Sequence, residues 1–203
     1  MPKLTFHNLT KEKQQVLTEA LRKEFSRVPL SDASIANIVK NAKIPRGSFY
    51  QYFEDKEDAY FYILNEQVIQ SKEIFIYCLN KNDGDLFDAM TEMFSLIIKE
   101  LSKGDNINFL RNAFLNMTYE VESSFRTIFN ANGGIEQFQQ ISPLINKNHL
   151  NISRDIELPH LMKIIATITI RNLIEKVAQN LTDQEAINSY VLEIDMLKKG
   201  LKK

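Results

Sequence analysis

The stretch whose reading decides the fold is Ser34 to Lys56, SIANIVKNAKIPRGSFYQYFEDK. Ile35, Ile38, Val39 and Ala42 fall at the i, i+3, i+4, i+7 spacing of a helix with one apolar face. Ser34 stands where such a helix takes its N-cap. A tight turn follows, and Ile44 drops into the core beyond it. Pro45 then opens a second short helix, to about Phe53, at a position where its missing N–H costs nothing. Phe49 and Phe53, four apart, face inward. Arg46, Gly47, Ser48, Tyr50, Gln51 and Tyr52 are left to face out, a mixture suited to phosphate and base-edge contact. The layout is that of a helix-turn-helix, whose second helix enters the major groove of double-stranded DNA.

Working outward, a helix is expected from about Thr10 to Arg27. Leu17, Ala20, Leu21, Phe25 and Val28 line one face, Glu12 sits in the first turn, and Pro29 ends it. Asp55 is placed to cap a long helix from Lys56 to about Leu79. Asn80 to Gly84 breaks the pattern, and a fifth helix is expected from about Asp85 to Leu101. Apolar period resumes over Phe109 to Ile128, with room for a kink within it, and is interrupted at Gly133-Gly134. A segment from Ile135 to about Leu144 leads into a polar loop, 146–157. Two last helices are expected from about Pro159 to Asn180 and from about Asp183 to Leu201. The chain reads as all-α, with a helix-turn-helix domain at 1–55 and a larger helical domain at 56–203.

Composition agrees with that class. The 203 residues include only six glycines and five prolines, which favours long helices over many short strands. No apolar run reaches membrane-spanning length, and the first residues lack the apolar core of a signal peptide. With one cysteine, Cys78, no internal disulfide can form, and a cytoplasmic location is expected. Net charge is −1, but residues 1–56 hold ten Lys and Arg against six Asp and Glu, a local excess of four positive charges. A basic head on an acidic body suits a polyanion partner for the head.

The chain resembles the TetR family of bacterial transcriptional regulators. The residues in register with that family's signature are Ser34, Ile38, Ala42, Ile44, Arg46, Gly47, Ser48, Phe49, Tyr50, Phe53, Lys56 and Glu57. The likeness in letters spans about residues 10–64. Two positions depart from the usual pattern. Lys43 stands where the family has a turn glycine, and Pro45 where it has a capping Ser or Thr. The resemblance implies a homodimer with two heads on a palindromic operator, an effector-binding helical body, and an interface made by the last two helices. It also implies repression relieved by a small molecule. Carried over residue by residue, Ser34 meets a phosphate through its hydroxyl and helix-terminal N–H groups. Arg46, Gly47 and Ser48 open the recognition helix; Arg46 reaches guanine or phosphate, and Gly47 allows close backbone approach. Tyr50 and Tyr52 bond phosphates, Gln51 reads a base edge, and Lys56 pairs with a phosphate.

In the body, aromatic and methionine residues either pack a bundle core or line a pocket for a hydrophobic ligand. The pocket candidates are Phe61, Met90, Phe94, Phe109, Phe114, Met117, Tyr119 and Phe125. The apolar run from Leu161 to Val177 covers more than one side of its helix, so more than one neighbour must cover it. A partner subunit meeting Ile164, Ile168, Arg171, Ile174, Tyr190 and Ile194 would supply the second. No catalytic, metal or cofactor site is expected: His7, His149 and His160 form no cluster, and Cys78 reads as a buried inert thiol. The alternative is a helical protein-interaction module whose DNA-binding head has no small-molecule control.

Overall fold

The computed structural model describes residues 2–101, 106–127, 140–154 and 156–201. Its helices are α1 (Leu4–His7), α2 (Lys11–Arg27), α3 (Ile35–Ala42), α4 (Arg46–Tyr52), α5 (Lys56–Lys81), α6 (Leu86–Leu101), α7 (Asn106–Leu115), α8 (Tyr119–Arg126), α9 (Glu157–Ala178) and α10 (Asp183–Leu201). Among the described residues there is no β-strand, and no helix is long and apolar enough to cross a membrane. The chain divides into two compact units, Met1–Gln67 with Lys103–Met117, and Val68–Ser102 with Thr118–Lys203.

The first unit holds α1 to α4, the beginning of α5, and α7. Its core is built by the inward residues of the periodic pattern: Leu17, Leu21 and Phe25 of α2, Ile38 and Ala42 of α3, and Phe49 and Phe53 around α4. Tyr60 and Ile63 of α5 and Phe109 of α7 complete it. Tyr60 sits edge-on to Phe25 at 5.2 Å between ring centres. Burial pushes its phenol up to about 12, so it stays neutral. Asn112 of α7 donates to the carbonyls of Phe25 (3.0 Å) and Ser26 (3.1 Å), satisfying acceptors that the end of α2 leaves over. The start of α5 is a reciprocal cap. Asp55 Oδ1 accepts from the Asp58 N–H at 2.7 Å, and Asp58 Oδ2 accepts from the Glu54 N–H at 3.1 Å.

In the second unit, Asp85 Oδ1 caps α6 by accepting from the N–H groups of Phe87 and Asp88, both at 3.1 Å. The preceding turn needs its glycine. Gly84 has φ +77°, and a Cβ there would lie 2.6 Å from the Leu144 carbonyl oxygen. Tyr190 of α10 stacks on Phe94 of α6, ring centres 4.0 Å apart, and its hydroxyl shares a 2.9 Å hydrogen bond with Thr169 of α9. Glu157 opens α9 and accepts from the N–H groups of Ser153 (2.7 Å) and Arg154 (3.2 Å) and from the Arg154 guanidinium (2.9 Å). The Ser153 N–H, then the Arg154 side chain and N–H, bring this half-buried residue's carboxyl down to about 2.

Four features differ from the sequence reading. The apolar period over Phe109 to Ile128 is cut at 116–118, because Thr118 starts a new helix by accepting the Val121 N–H at 3.3 Å. A four-residue helix, α1, precedes α2. It spans little more than one turn, too short for any period to reveal. The helix expected from Pro159 begins at Glu157, and the segment expected to be loop contains a short 3₁₀ turn, Lys147–His149. Ile128, Gly133, Gly134 and Ile135 lie outside the described residues.

Candidate nucleic-acid interface

Two short helices and the turn between them form the candidate surface. α3 closes in a Schellman arrangement: the Ile44 N–H reaches the Val39 carbonyl at 3.0 Å and the Lys43 N–H reaches Lys40 at 3.3 Å. Lys43 itself sits in the left-handed region at φ 54°, ψ 42°. A glycine tolerates that conformation freely, and a lysine there costs about 1–2 kcal/mol. α4 then starts behind Pro45 with no side-chain cap.

Arg46, Gly47 and Gln51 are exposed, and Tyr50 lies beside them on the surface. A Cβ on Gly47 would meet nothing within 4 Å, so that face is open. Ser34, Ser48, Tyr52 and Lys56 are half-buried. Tyr52 is drawn partly off the outward face by its edge contact with Phe6, at 6.5 Å. The Lys56 ammonium donates to the Ser31 carbonyl at 2.8 Å, which engages one of its three donors and brings it against the segment before α3.

Ser34 needs a correction. It occupies the N-cap position of α3 but makes no side-chain cap bond. Its N–H is donated to Glu24 Oε1 at 2.8 Å, and is therefore taken before any phosphate arrives. Glu24 is a buried acid reaching from α2, its side chain 1% exposed. It also accepts from Asn37 Nδ2 at 3.2 Å and from Arg27 at 3.0 and 2.7 Å. Burial is the largest influence on its carboxyl and works upward. Arg27, the Ser34 N–H and Asn37 together outweigh it, leaving the group below the ordinary glutamate value. Glu24 was legible in principle, since it lies between Leu21 and Phe25 on the inner face of α2.

The other feature missed by sequence reasoning is at the far end of α4. The last-turn carbonyls of Tyr50, Gln51 and Tyr52 accept, respectively, from Lys3 Nζ (2.9 Å), the Thr5 hydroxyl and the Lys3 N–H (2.8 Å). Phe6, buried, anchors this segment against Phe53 (5.3 Å) and Tyr62 (5.1 Å).

The pocket candidates fall in both units. Phe61, Phe109, Phe114 and Met117 belong to the first; Met90, Phe94, Tyr119 and Phe125 belong to the second. Phe109, Phe114, Met90, Phe94 and Phe125 are buried, while Tyr119 is 77% exposed. An open groove of about 720 Å³ at the start of α9, lined among others by Ile152, Arg154, Ile156, His160 and Ile164, includes none of the eight. Of the interface candidates, Ile164 and Arg171 are exposed and Ile168 and Ile174 half-buried. Tyr190 and Ile194 are corrected: at 0% and 1% exposure they already pack inside their own unit and have no surface to give a partner. Leu192 and Met196, 62% and 66% exposed, are the apolar residues that α10 turns outward. Cys78 is buried, and burial, with Glu92 beside it, pushes its thiol up to about 11.

A helical chain with an open helix-turn-helix face belongs to the DNA-binding regulators. The family described as "Bacterial regulatory proteins, tetR family" matches residues 17–61, and "Tetracyclin repressor-like, C-terminal domain" matches residues 85–201. The chain belongs to the TetR family of transcriptional regulators. No curated protein matches it in sequence. Among solved structures, a TetR family regulator from Chloroflexus aurantiacus is 24% identical, covering 100% of this chain and 99% of that one, with a TM-score of 0.52. SmeT, the repressor of the Stenotrophomonas maltophilia multidrug efflux pump SmeDEF, is 13% identical over 98% and 93% of the two chains, TM-score 0.68. FadR from Bacillus subtilis, solved in complex with stearoyl-CoA, is 15% identical over 89% and 96%, TM-score 0.60. At these identities the likeness is one of fold.

Proposed function

We propose that this protein is a cytoplasmic homodimeric repressor that reads a palindromic operator with α4 and leaves it when a small hydrophobic effector binds the helical body. The observation that carries the DNA-reading part is the open face of α4, where Arg46, Gly47, Tyr50 and Gln51 stand exposed on a helix held at its C-terminal end. Arg46 suits guanine or a phosphate, Gln51 a base edge, and Tyr50 a phosphate. Ser34, Ser48, Tyr52 and Lys56 flank that face as backbone contacts. Two copies related by a two-fold axis would set half-sites about 34–36 Å apart, or a multiple of that.

The dimer would form through α9 and α10. Ile164, Ile168 and Arg171 share one face of α9, and Leu192 and Met196 share one face of α10. Exposed apolar side chains at helical spacing on adjacent elements are what a four-helix interface between copies would bury. The effector would act by population shift, binding the DNA-incompetent state better than the competent one. Met90, Phe94 and Phe125 are the apolar side chains of the second unit that such an effector would meet.

Selection of bound duplexes from a random DNA pool tests this. Enrichment of one palindrome is expected, with binding that weakens steeply as salt rises. Only general, sequence-independent binding would reject the operator. Stearoyl-CoA, the molecule bound in the FadR structure, is a reasonable first probe of the body. If protein saturated with an identified effector keeps its full operator affinity, release by effector is wrong.

A further inference from the structure

The last turn of a helix leaves four carbonyls without intrahelical partners. In α4, the Phe49 carbonyl accepts the Phe53 N–H at 2.9 Å as the chain leaves the helix. The next three, of Tyr50, Gln51 and Tyr52, are all taken by two residues of one short segment, Lys3 and Thr5. Those carbonyls belong to three of the residues assigned to DNA contact. The segment is itself fixed. Phe6 is buried against Phe53 and Tyr62, and Gln14 of α2 donates to the carbonyls of Phe6 and His7 at 3.2 Å and of Leu9 at 3.1 Å. A seven-residue helix is far too short to hold its geometry alone. A lysine ammonium at its C-terminal end also complements the helix dipole.

We propose that Lys3 and Thr5 are positioning residues for sequence readout: they fix the end of α4 and so set the pose in which Tyr50 and Gln51 meet DNA. The inference rests on α4 being the reading helix. Lys3 commits one of its three ammonium donors to the Tyr50 carbonyl, and on this proposal its role in binding runs through α4; the salt slope separates that from a phosphate contact of its own. Thr5 has no charge and acts by the same route.

The test uses the full chain and the duplex recovered by selection, with a scrambled duplex for comparison. Specific and non-specific affinities are measured by fluorescence anisotropy over a range of salt for wild type, Lys3→Met, Thr5→Val, Thr5→Ser and Gln51→Ala. Lys3→Met and Thr5→Val should each weaken specific binding about two- to tenfold, the worth of one hydrogen bond. Non-specific binding and the slope of affinity against salt should stay as in wild type. Thr5→Ser, which keeps the hydroxyl, should restore wild-type affinity. A parallel loss of specific and non-specific binding in Lys3→Met, with the salt slope reduced by about one, would overturn the proposal by making Lys3 a phosphate contact. Wild-type behaviour of both Lys3→Met and Thr5→Val would also overturn it. If Gln51→Ala alters base preference while those two are silent, only the positioning role fails. If Gln51→Ala is silent too, α4 is not the reading helix and both readings fall.

Discussion

Removing the carboxylate of Glu24 tests how the helix-turn-helix is held. Three groups converge on that side chain: the Ser34 N–H, the Asn37 amide and the Arg27 guanidinium. In Glu24→Ala the Ser34 N–H, at the half-buried start of α3, loses its acceptor. An unsatisfied buried donor costs about 1–3 kcal/mol, and a hydrogen bond to a charged acceptor is worth about 1.5–3 kcal/mol. Arg27 is half exposed and returns to water, so it adds nothing to the sum. The expected loss is about 2–3 kcal/mol. For a chain of this size that corresponds to a fall of roughly 4–12 °C in Tm, read by circular dichroism at fixed protein concentration. Glu24→Gln keeps an oxygen acceptor and loses the charge, so about 1 kcal/mol is expected. The pH dependence gives a second reading. The Glu24 carboxyl lies below its ordinary value of 4.5 in the folded chain, so its stabilising effect is complete above that pH and lost as pH falls through the folded value. The gap between wild type and Glu24→Gln should therefore close on acidification below about 4.5. An Ala variant within about 0.5 kcal/mol of wild type, or a gap that widens in acid, would refute the reasoning.

Lys43→Gly should raise stability by about 0.5–1 kcal/mol, because relief of the left-handed strain exceeds the entropy glycine adds to the unfolded chain; urea unfolding would measure it. Tyr190→Phe should cost about 1 kcal/mol through loss of the buried Thr169 bond and leave the oligomeric state untouched. Leu192→Glu with Met196→Glu should do the reverse, dissociating the proposed dimer in sedimentation with the fold retained; a dimer that survives both charges would place the interface elsewhere. Tyr50→Ala should weaken binding to all duplexes alike, whereas Gln51→Ala should change preference at one base pair in a repeated selection.

What was legible in the chain was whatever repeats with a period or stands at a helix end. Ile35, Ile38 and Ala42 marked α3, Phe49 and Phe53 marked the inner side of α4, and Asp55 marked the start of α5, where it makes the cap expected of it. The break between α7 and α8 could be read only as a kink and not located, because apolar residues keep step across it, with Met117 half-buried in the gap. The misplacement of Tyr190 and Ile194 has a related cause. α10 carries apolar residues on two sides, Ala186, Tyr190 and Ile194 on one, Leu192 and Met196 on the other. Periodicity identifies both stripes and cannot say which one the chain covers itself. The contacts of Lys3 and Thr5 are pairings across more than forty positions, which no local pattern encodes.

The helix-turn-helix is a motif whose parts cannot stand alone. α3 has eight residues and α4 seven, both below the length of about 12–15 at which an isolated helix becomes marginal in water. The turn between them carries the strain of Lys43, and neither helix has a side-chain N-cap of its own. The missing terms come from outside the motif. Glu24 supplies a charged acceptor at the start of α3, and Lys3 and Thr5 supply donors at the end of α4. Both braces lead back to α2, which carries Glu24 directly and holds the Lys3 segment through Gln14. The helix-turn-helix is thus held by α2 as much as by its own residues. If α4 is the helix that meets DNA, as proposed, a substitution on α2 that leaves the exposed side chains of α4 in place should still change what the protein binds.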